Sequence, residues 1–336
     1  MKRKLNVTAV LAVLLITMMI GQPVSASHHQ LTITPLAGYS SDYAIARDIN
    51  ARGQIVGYGD AGQGPTHAFL WDNGSRIDLG TLPNGTYSLG LAINARGQVV
   101  GWSDNDEQVP VPFLWDNGTM IALSESHGDA EAINARGQVV GSVTVPPDVN
   151  THAMLWQNGT ETSLGMLPGG VYSQAYGIND RGQVVGLADN GSGIYYEYHA
   201  FLWQAGKMKD LGTLPGGTFS TALSINQSGQ VAGYGSNAHG DVHAILWQDG
   251  KPKDLGTLGG NASLAADINA RGQVVGFSNI ASGETHAFIW QNGVMTDLGT
   301  LPDDILGRAW GINDNGQVVG ETQDIVNISH AVLWTK

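Results

Sequence analysis

The sequence predicts an all-β fold, a seven-bladed β-propeller with four antiparallel strands per blade and a ring closed by an N-terminal strand. The first observation is a motif that recurs seven times, at intervals of 40 to 47 residues. The second is the tight-turn signals between its strand candidates, and the third is a strand that the last copy lacks. The composition agrees, because 47 glycines in 336 residues are about twice the usual share and indicate many turns.

Each copy reads A-x-x-I-N-x-x-G-Q-V-V-G, a variable stretch, H-A-F-L-W-x-x-G and then D-L-G-T-L-P-G-G. The asparagines of the Ile-Asn pair mark the copies: Asn50, Asn94, Asn134, Asn179, Asn226, Asn269 and Asn313. The tryptophans that end the third strand follow at Trp71, Trp115, Trp156, Trp203, Trp247, Trp290 and Trp334. Antiparallel units of this length, repeated in series, are typical of propeller blades.

Four strand candidates, a to d, follow from this motif. Ile-Asn ends strand a, Gln-Val-Val-Gly forms b, His-Ala-Phe-Leu-Trp forms c, and the segment ending Asp-Leu-Gly-Thr-Leu forms d. The a–b turn is a three-residue hairpin whose glycine is expected at positive φ, and Asn-Gly pairs such as Asn73–Gly74 indicate a type I′ turn between c and d. Such turns need antiparallel neighbours, which disfavours a parallel β-solenoid.

The two chain ends predict how the ring closes. The last copy stops at Trp334, Thr335 and Lys336, directly after its c strand. Residues Leu31–Leu36 occupy the place of a d strand before the first copy. We therefore expect the N-terminal segment to complete the final blade and to leave no open sheet edge.

The first residues have the pattern of an export signal. Lys2, Arg3 and Lys4 precede an apolar run, and small residues precede a cut after Ala26. The predicted organisation is a signal peptide over 1–26 and one seven-repeat domain over 27–336, with an uncleaved anchor as the alternative. The mature protein is expected to be secreted, extracellular or periplasmic, without membrane association.

Charge and cysteine content exclude several classes of function. The formal net charge of −13 argues against a nucleic-acid partner, because phosphate binding needs a basic surface. The absence of cysteine excludes a disulfide scaffold, a Cys-x-x-Cys zinc site and a thiol nucleophile. We expect a monomer with no cofactor and no metal, although the run Asp104–Glu107 leaves calcium as an alternative.

Within this frame, the triplets His67-Ala68-Phe69, His199-Ala200-Phe201 and His286-Ala287-Phe288 resemble the HAF-type extracellular repeat of bacterial exported proteins. The resemblance extends from about Tyr43 to Trp334, and copy two departs from it with Val111-Pro112-Phe113. It implies export and a propeller-like fold. It implies no established biochemical activity.

Six histidines occupy the same position of the repeat: His67, His152, His199, His243, His286 and His330. A ring of metal ligands is one interpretation. We favour a buried His–Asp hydrogen bond in each blade, because most of these copies carry an aspartate in strand d (Asp78, Asp210, Asp254 and Asp297). The hairpin Asn and Gln residues also have a structural interpretation. The hairpin arginines, such as Arg52, are solvated turn residues or an anion site.

Ligand binding is expected where the copies differ. The b–c connections vary, and the longest, in copy four, contains Tyr195, Tyr196 and Tyr198. Aromatic residues directly after strand b extend the same face: Tyr58, Trp102, Tyr234 and Phe277. Exposed aromatic side chains suit sugar rings or peptides, and packing between blades is the alternative. A variable position in strand a, from Arg47 to Trp310, would line a channel if strand a is innermost, which the sequence leaves open.

The functional prediction is a secreted, non-catalytic binding or structural module for an extracellular or cell-surface glycan or protein. The alternative is a propeller hydrolase or lyase that acts on a polysaccharide. The sequence contains no nucleophile elbow, phosphate loop or HExxH motif. An acid/base pair converging at the channel would favour the enzyme, and aromatic surfaces without such a pair would favour binding.

Overall fold

The computed structural model describes residues 32–36, 43–62, 64–145, 150–192 and 197–335. These residues form strands and turns without a helix, so no helix among them could cross a membrane. The predicted signal peptide, residues 1–26, lies outside the described residues.

The strands form seven four-stranded antiparallel sheets, each ordered a-b-c-d. The a strands are β2 (Ala44–Ile49), β6 (Ser88–Ile93), β10 (Gly128–Ile133), β14 (Ser173–Ile178), β18 (Ser220–Ile225), β22 (Gly259–Ile268) and β26 (Asp304–Ile312). The b strands are β3 (Ile55–Asp60), β7 (Val99–Asp104), β11 (Val139–Val145), β15 (Val184–Asp189), β19 (Val231–Ser236), β23 (Val274–Ile280) and β27 (Val318–Asp324). The c strands are β4 (Thr66–Asp72), β8 (Pro110–Asp116), β12 (Asn150–Gln157), β16 (Tyr198–Gln204), β20 (Val242–Gln248), β24 (Thr285–Gln291) and β28 (Ser329–Thr335). The d strands are β5 (Ser75–Asp78), β9 (Thr119–Ala122), β13 (Thr160–Ser163), β17 (Lys207–Asp210), β21 (Lys251–Asp254), β25 (Val294–Asp297) and β1 (Thr32–Pro35).

The seven sheets are the blades of a closed ring. Each a strand contacts the a strands of the two neighbouring blades, and β2 of blade 1 contacts β26 of blade 7. Strand a is therefore innermost, which the sequence did not determine. The predicted seven-bladed β-propeller is confirmed.

The N-terminal strand closes the last blade as predicted. β1 pairs antiparallel with β28, so that Thr32 lies opposite Thr335 and Pro35 opposite Val332. The amide of Leu36 continues the ladder by donating to the carbonyl of Ala331 at 2.8 Å. The side chain of Ile33 packs against the hydrophobic core of blade 7.

The core lies between neighbouring sheets and is built from the Val-Val and Ala-Phe-Leu-Trp parts of the repeat. One cluster joins Val185 and Ala200 of blade 4 to Ala222, Val231 and Trp247 of blade 5. The indole of Trp247 is 1% exposed. Burial of each blade's apolar face against the next blade stabilises the ring without helices.

Strand a carries a β-bulge in every blade. In blade 1 the register passes from Ala46 to Asp48 and leaves Arg47 unpaired, and each other blade bulges at the equivalent residue. The glycine of Gln-Val-Val-Gly lies against this strand, since a Cβ on Gly57 would be 1.9 Å from the carbonyl oxygen of Ile45. The close approach explains why this glycine occurs in all seven copies.

The asparagines of the Ile-Asn pairs form a closed ring of hydrogen bonds. The Nδ2 of Asn50 donates to the carbonyl of Asn94 at 3.1 Å, and successive blades repeat the bond until Asn313 donates to Asn50 at 3.1 Å. Each side chain also accepts from two amides of its own hairpin, as Asn50 does from Arg52 and Gln54. These amides join all seven blades, in agreement with their structural interpretation.

Candidate functional site: the axial channel

A cavity of about 460 Å³ lies on the ring axis. It is lined by the a strands and by the a–b hairpins that follow them. Its volume is in the range of small-molecule sites in proteins. The cavity therefore has the position and size of a ligand site.

The bulge explains which side chains reach this cavity. An extra residue in one strand re-aims its side chain and leaves it outside the regular pairing. The bulged residues all differ in character except for two leucines: Arg47, Leu91, Glu131, Tyr176, Leu223, Ala266 and Trp310. The preceding residues, such as Ala46, are small and buried in every blade, so the copies diverge at the axis and not in the core.

The lining from blades 7 and 1 contains a cation–π pair. The guanidinium of Arg47 lies over the Trp310 ring, 4.4 Å from its centroid. Trp310 packs edge-on against Phe277, with centroids 5.4 Å apart. Arg308 lies 5.6 Å from the centroid of Phe277 and pairs at 3.3 Å with Glu321, which is buried. Arg47 of blade 1 and Trp310 of blade 7 belong to the cavity lining, whereas Phe277 and Arg308 lie outside it.

The lining from blades 3 and 4 is acidic and phenolic. Burial and the neighbouring Asp129 raise the pKa of Glu131 to about 7, against the opposing effect of Arg47. Burial also raises the pKa of Asp129, whose Oδ1 accepts from the Ser142 hydroxyl at 2.8 Å. Burial and the charge of Glu131 raise the pKa of the Tyr176 phenol. A carboxyl with a raised pKa in a cleft, here Glu131, is a candidate functional group.

Two further carboxylates in the channel connect neighbouring blades. Asp48 accepts from the amide of Ile49 at 2.7 Å and from that of Ile93, in blade 2, at 2.9 Å. Asp267 accepts from Ser224 at 2.6 Å and from Ile312, in blade 7, at 2.9 Å. Burial raises the pKa of both, that of Asp48 to about 7. Both oxygens of each aspartate therefore accept a hydrogen bond from the protein itself.

Of the aromatic residues predicted from the sequence, Tyr58, Trp102, Tyr198, Tyr234 and Phe277 are half-buried and lie outside the lining of this cavity. Three of them pack on a ring at the start of strand a in the same blade: Tyr58 on Tyr43 at 6.2 Å, Tyr198 on Tyr172 at 5.3 Å and Tyr234 on Phe219 at 6.4 Å between centroids. Phe277 contacts Trp310 of the next blade, and Trp102 is also half-buried. Tyr195 and Tyr196 lie outside the described residues.

The His–Asp pairs exist, but the expectation that they are buried is wrong. Nδ1 of His67, His199, His243 and His286 lies 2.7 to 2.9 Å from the strand-d aspartate of the same blade. The His243 and Asp254 side chains are 17% and 40% exposed. Strand d is outermost, so water reaches its aspartates. His330 pairs instead with Asp304 of strand a, at 3.1 Å.

Among the residues that the structure describes, no three His, Asp or Glu side chains lie close enough together to hold a metal ion. In the run weighed for calcium, Asp104 Oδ1 accepts from the amides of Thr86 and Tyr87, each at 2.7 Å. Asn105 accepts from two amides of its own turn. The side chains of Asp104 and Asn105 therefore hold the backbone of the neighbouring turns in place.

The sequence analysis assigned the variable position of strand a, from Arg47 to Trp310, to the channel on the condition that strand a is innermost, and the structure meets that condition. It did not single out Asp129, a carboxyl two residues before Glu131 in an otherwise small or apolar strand. It also missed an aromatic residue four positions before the bulge in four copies: Tyr43, Tyr87, Tyr172 and Phe219. An alignment of the seven copies would have revealed Asp129 and these four aromatic residues.

Solved structures show the same architecture. The β-propeller domain of the Trilobed protease from Pyrococcus furiosus matches with a TM-score of 0.58 at 14% identity, over 87% of this chain and 93% of that one. The chain is a β-propeller. YCF48 bound to D1 peptide matches with a TM-score of 0.56 at 9% identity, over 92% and 98% of the two chains.

The Pyrococcus horikoshii acylaminoacyl peptidase matches with a TM-score of 0.56 at 12% identity, over 87% of this propeller but only 51% of the peptidase. No family model matches the chain, and no curated protein matches it. At these identities the likenesses concern the fold alone.

Proposed function

We propose that this chain is an exported, non-catalytic binding propeller of the HAF-repeat type, and that its axial cavity holds part of an extracellular or cell-surface glycan or protein. The observation that carries the proposal is the divergence of the seven copies at the axis. Positions that the fold needs are the same in each blade, whereas the bulged residues supply one cation, one carboxylate, one phenol and one indole.

A ring of identical blades would offer a symmetric channel, and an asymmetric ligand needs asymmetric contacts. Arg47 of blade 1 and Trp310 of blade 7 line the cavity together with Glu131 of blade 3 and Tyr176 of blade 4, and Leu91, Leu223 and Ala266 add uncharged surface. Such convergent polar groups in a largely preformed cavity are typical of ligand sites. A propeller of the same fold, YCF48, has been solved with a peptide bound.

The second candidate is a hydrolase or lyase, and the raised pKa values of Asp129 and Glu131 favour it. Hydrolysis of a glycosidic bond needs carboxyl groups that flank the bond. Asp129 and Glu131 come from one strand, and of the two Glu131 belongs to the lining while Asp129 lies outside it. The remaining channel aspartates accept backbone hydrogen bonds. Binding is therefore the better-supported function.

The test is a screen of the mature chain, residues 27–336, on glycan and peptide arrays, with the Arg47→Gln/Glu131→Gln variant beside it. We expect at least a tenfold loss of signal for the variant, because both charges at the cavity are removed. The Tyr58→Ser variant, which alters an aromatic residue outside the cavity, is the control. A hit that survives the cavity variant and is lost with Tyr58→Ser would move the site to the loop face. Cleavage of a hit, detected by mass spectrometry, would support the enzyme.

A further inference from the structure

Two opposite charges line the axial cavity without contacting each other. Arg47 and Glu131 both belong to the lining, yet among the described residues neither forms an ion pair within 4.0 Å or a hydrogen bond. The guanidinium of Arg47 has only the Trp310 ring beneath it, at 4.4 Å. Both side chains are half-buried at the cavity, and a charge that is partly withdrawn from water gains from a counter-charge that a ligand supplies.

Unsatisfied donors at the same place support a missing partner. The Nε of Arg47 and the Nε1 of Trp310 are both buried and have no hydrogen-bond acceptor. Buried polar atoms of native proteins nearly always have a partner, and an exception calls for an explanation. The Nε1 atoms of Trp156, Trp247 and Trp334, outside the lining, are unsatisfied as well, so it is the Nε of Arg47 that indicates a missing partner at the cavity.

The other carboxylates of the lining are already engaged. Asp48 and Asp267 accept backbone amides from the neighbouring blades. Asp314, at the hairpin end, accepts from the amide of Ala270 at 2.8 Å. Arg47 and Glu131 are thus the two charges of the lining that remain available, and they belong to blades 1 and 3.

We propose that the axial cavity binds a short zwitterionic ligand, a dipeptide with free ends, whose carboxylate contacts Arg47 and whose ammonium contacts Glu131. The inference rests on the proposed binding role of this cavity and narrows its occupant to a free peptide fragment of an extracellular or cell-surface protein. A guanidinium holds a carboxylate by two parallel hydrogen bonds. Leu91, Leu223 and Ala266 of the lining give the peptide's side chains an apolar surface.

The experiment is calorimetric titration of the mature chain at pH 8 with leucylleucine, its N-acetyl form and its C-terminal amide. We expect the unblocked dipeptide to bind and each blocked form to bind at least tenfold more weakly, because each loses one charged contact. Equal affinities for the three forms, or binding of none of them, would overturn the proposal.

Single variants assign the two ends. Glu131→Gln should remove the penalty for N-acetylation and keep that for amidation, and Arg47→Gln should do the reverse. Arg52→Gln, in an exposed hairpin outside the lining, is the matched control and should bind as the wild type does. A variant that weakens all three forms equally would contradict the assignment. Array hits that depend on the cavity, combined with no dipeptide binding, would refute this inference and leave the proposed function standing.

Discussion

Burial of single carboxyl groups in the channel makes stability depend on pH. The pKa of Glu131 rises from 4.5 to about 7, and that of Asp48 from 3.8 to about 7. The folded protein therefore holds these protons more tightly than the unfolded chain. Their stabilising contribution is complete below the unfolded values and is lost as the pH rises through about 7.

We accordingly expect the free energy of unfolding to fall between pH 5 and pH 8. Glu131→Gln should flatten this fall by on the order of 2 kcal/mol, since the amide cannot ionise. Urea denaturation at a series of pH values measures the effect. The exposed Glu107→Gln is the control and should follow the wild type. An unchanged slope for Glu131→Gln would show that the buried carboxyl does not titrate in this range.

The surface position of the His–Asp pairs lowers what each one contributes. Because His243 and Asp254 are both reached by water, replacing His243 by Ala should cost less than about 1 kcal/mol, the usual limit for exposed pairs. Thermal or urea unfolding of His243→Ala, of Asp254→Ala and of the double variant measures the coupling. A loss above about 2 kcal/mol would restore the buried interpretation.

At the scale of single elements, one of the c–d turns has a residue that is unfavourable for the backbone conformation of the turn. The residue before the turn glycine has φ near +50° in six blades, and in blade 4 it is Ala205, with φ +49°. Alanine disfavours this left-handed conformation by about 1–2 kcal/mol, whereas asparagine tolerates it. Ala205→Asn should therefore raise the melting temperature. The reverse change in a matched turn, Asn158→Ala, should lower it, and equal effects of both changes would contradict the explanation.

Turns and strands were predictable from the sequence because their determinants are local. Asn-Gly pairs and hairpin glycines predict a left-handed backbone conformation, and the positive φ of Asn73 and Gly53 confirms it. The β-bulge at Arg47 was not predictable, since it is a property of the register between two strands. The channel lining was predicted only on the condition that strand a is innermost. The order a-b-c-d does not say which strand packs on the axis, because that depends on packing between blades.

At the scale of the whole molecule, the ring depends on a strand from the opposite end of the chain. β1 covers the edge of β28 and places Ile33 on the last blade's core. Deleting residues 31–36 should lower the melting temperature by roughly 5 °C or more, since it exposes a strand edge and apolar surface. Differential scanning calorimetry measures this. Deleting residues 27–30 is the control, and similar melting of the two deletions would refute closure by β1.

The divergence of seven repeats at one axis leads to the central claim, that the ligand is held inside the ring. The most direct test is a crystal structure of the mature chain with the best array hit bound. We expect electron density for the ligand in the axial cavity, between Arg47 and Glu131. Density confined to the b–c and d–a connections, with the cavity empty, would contradict the claim.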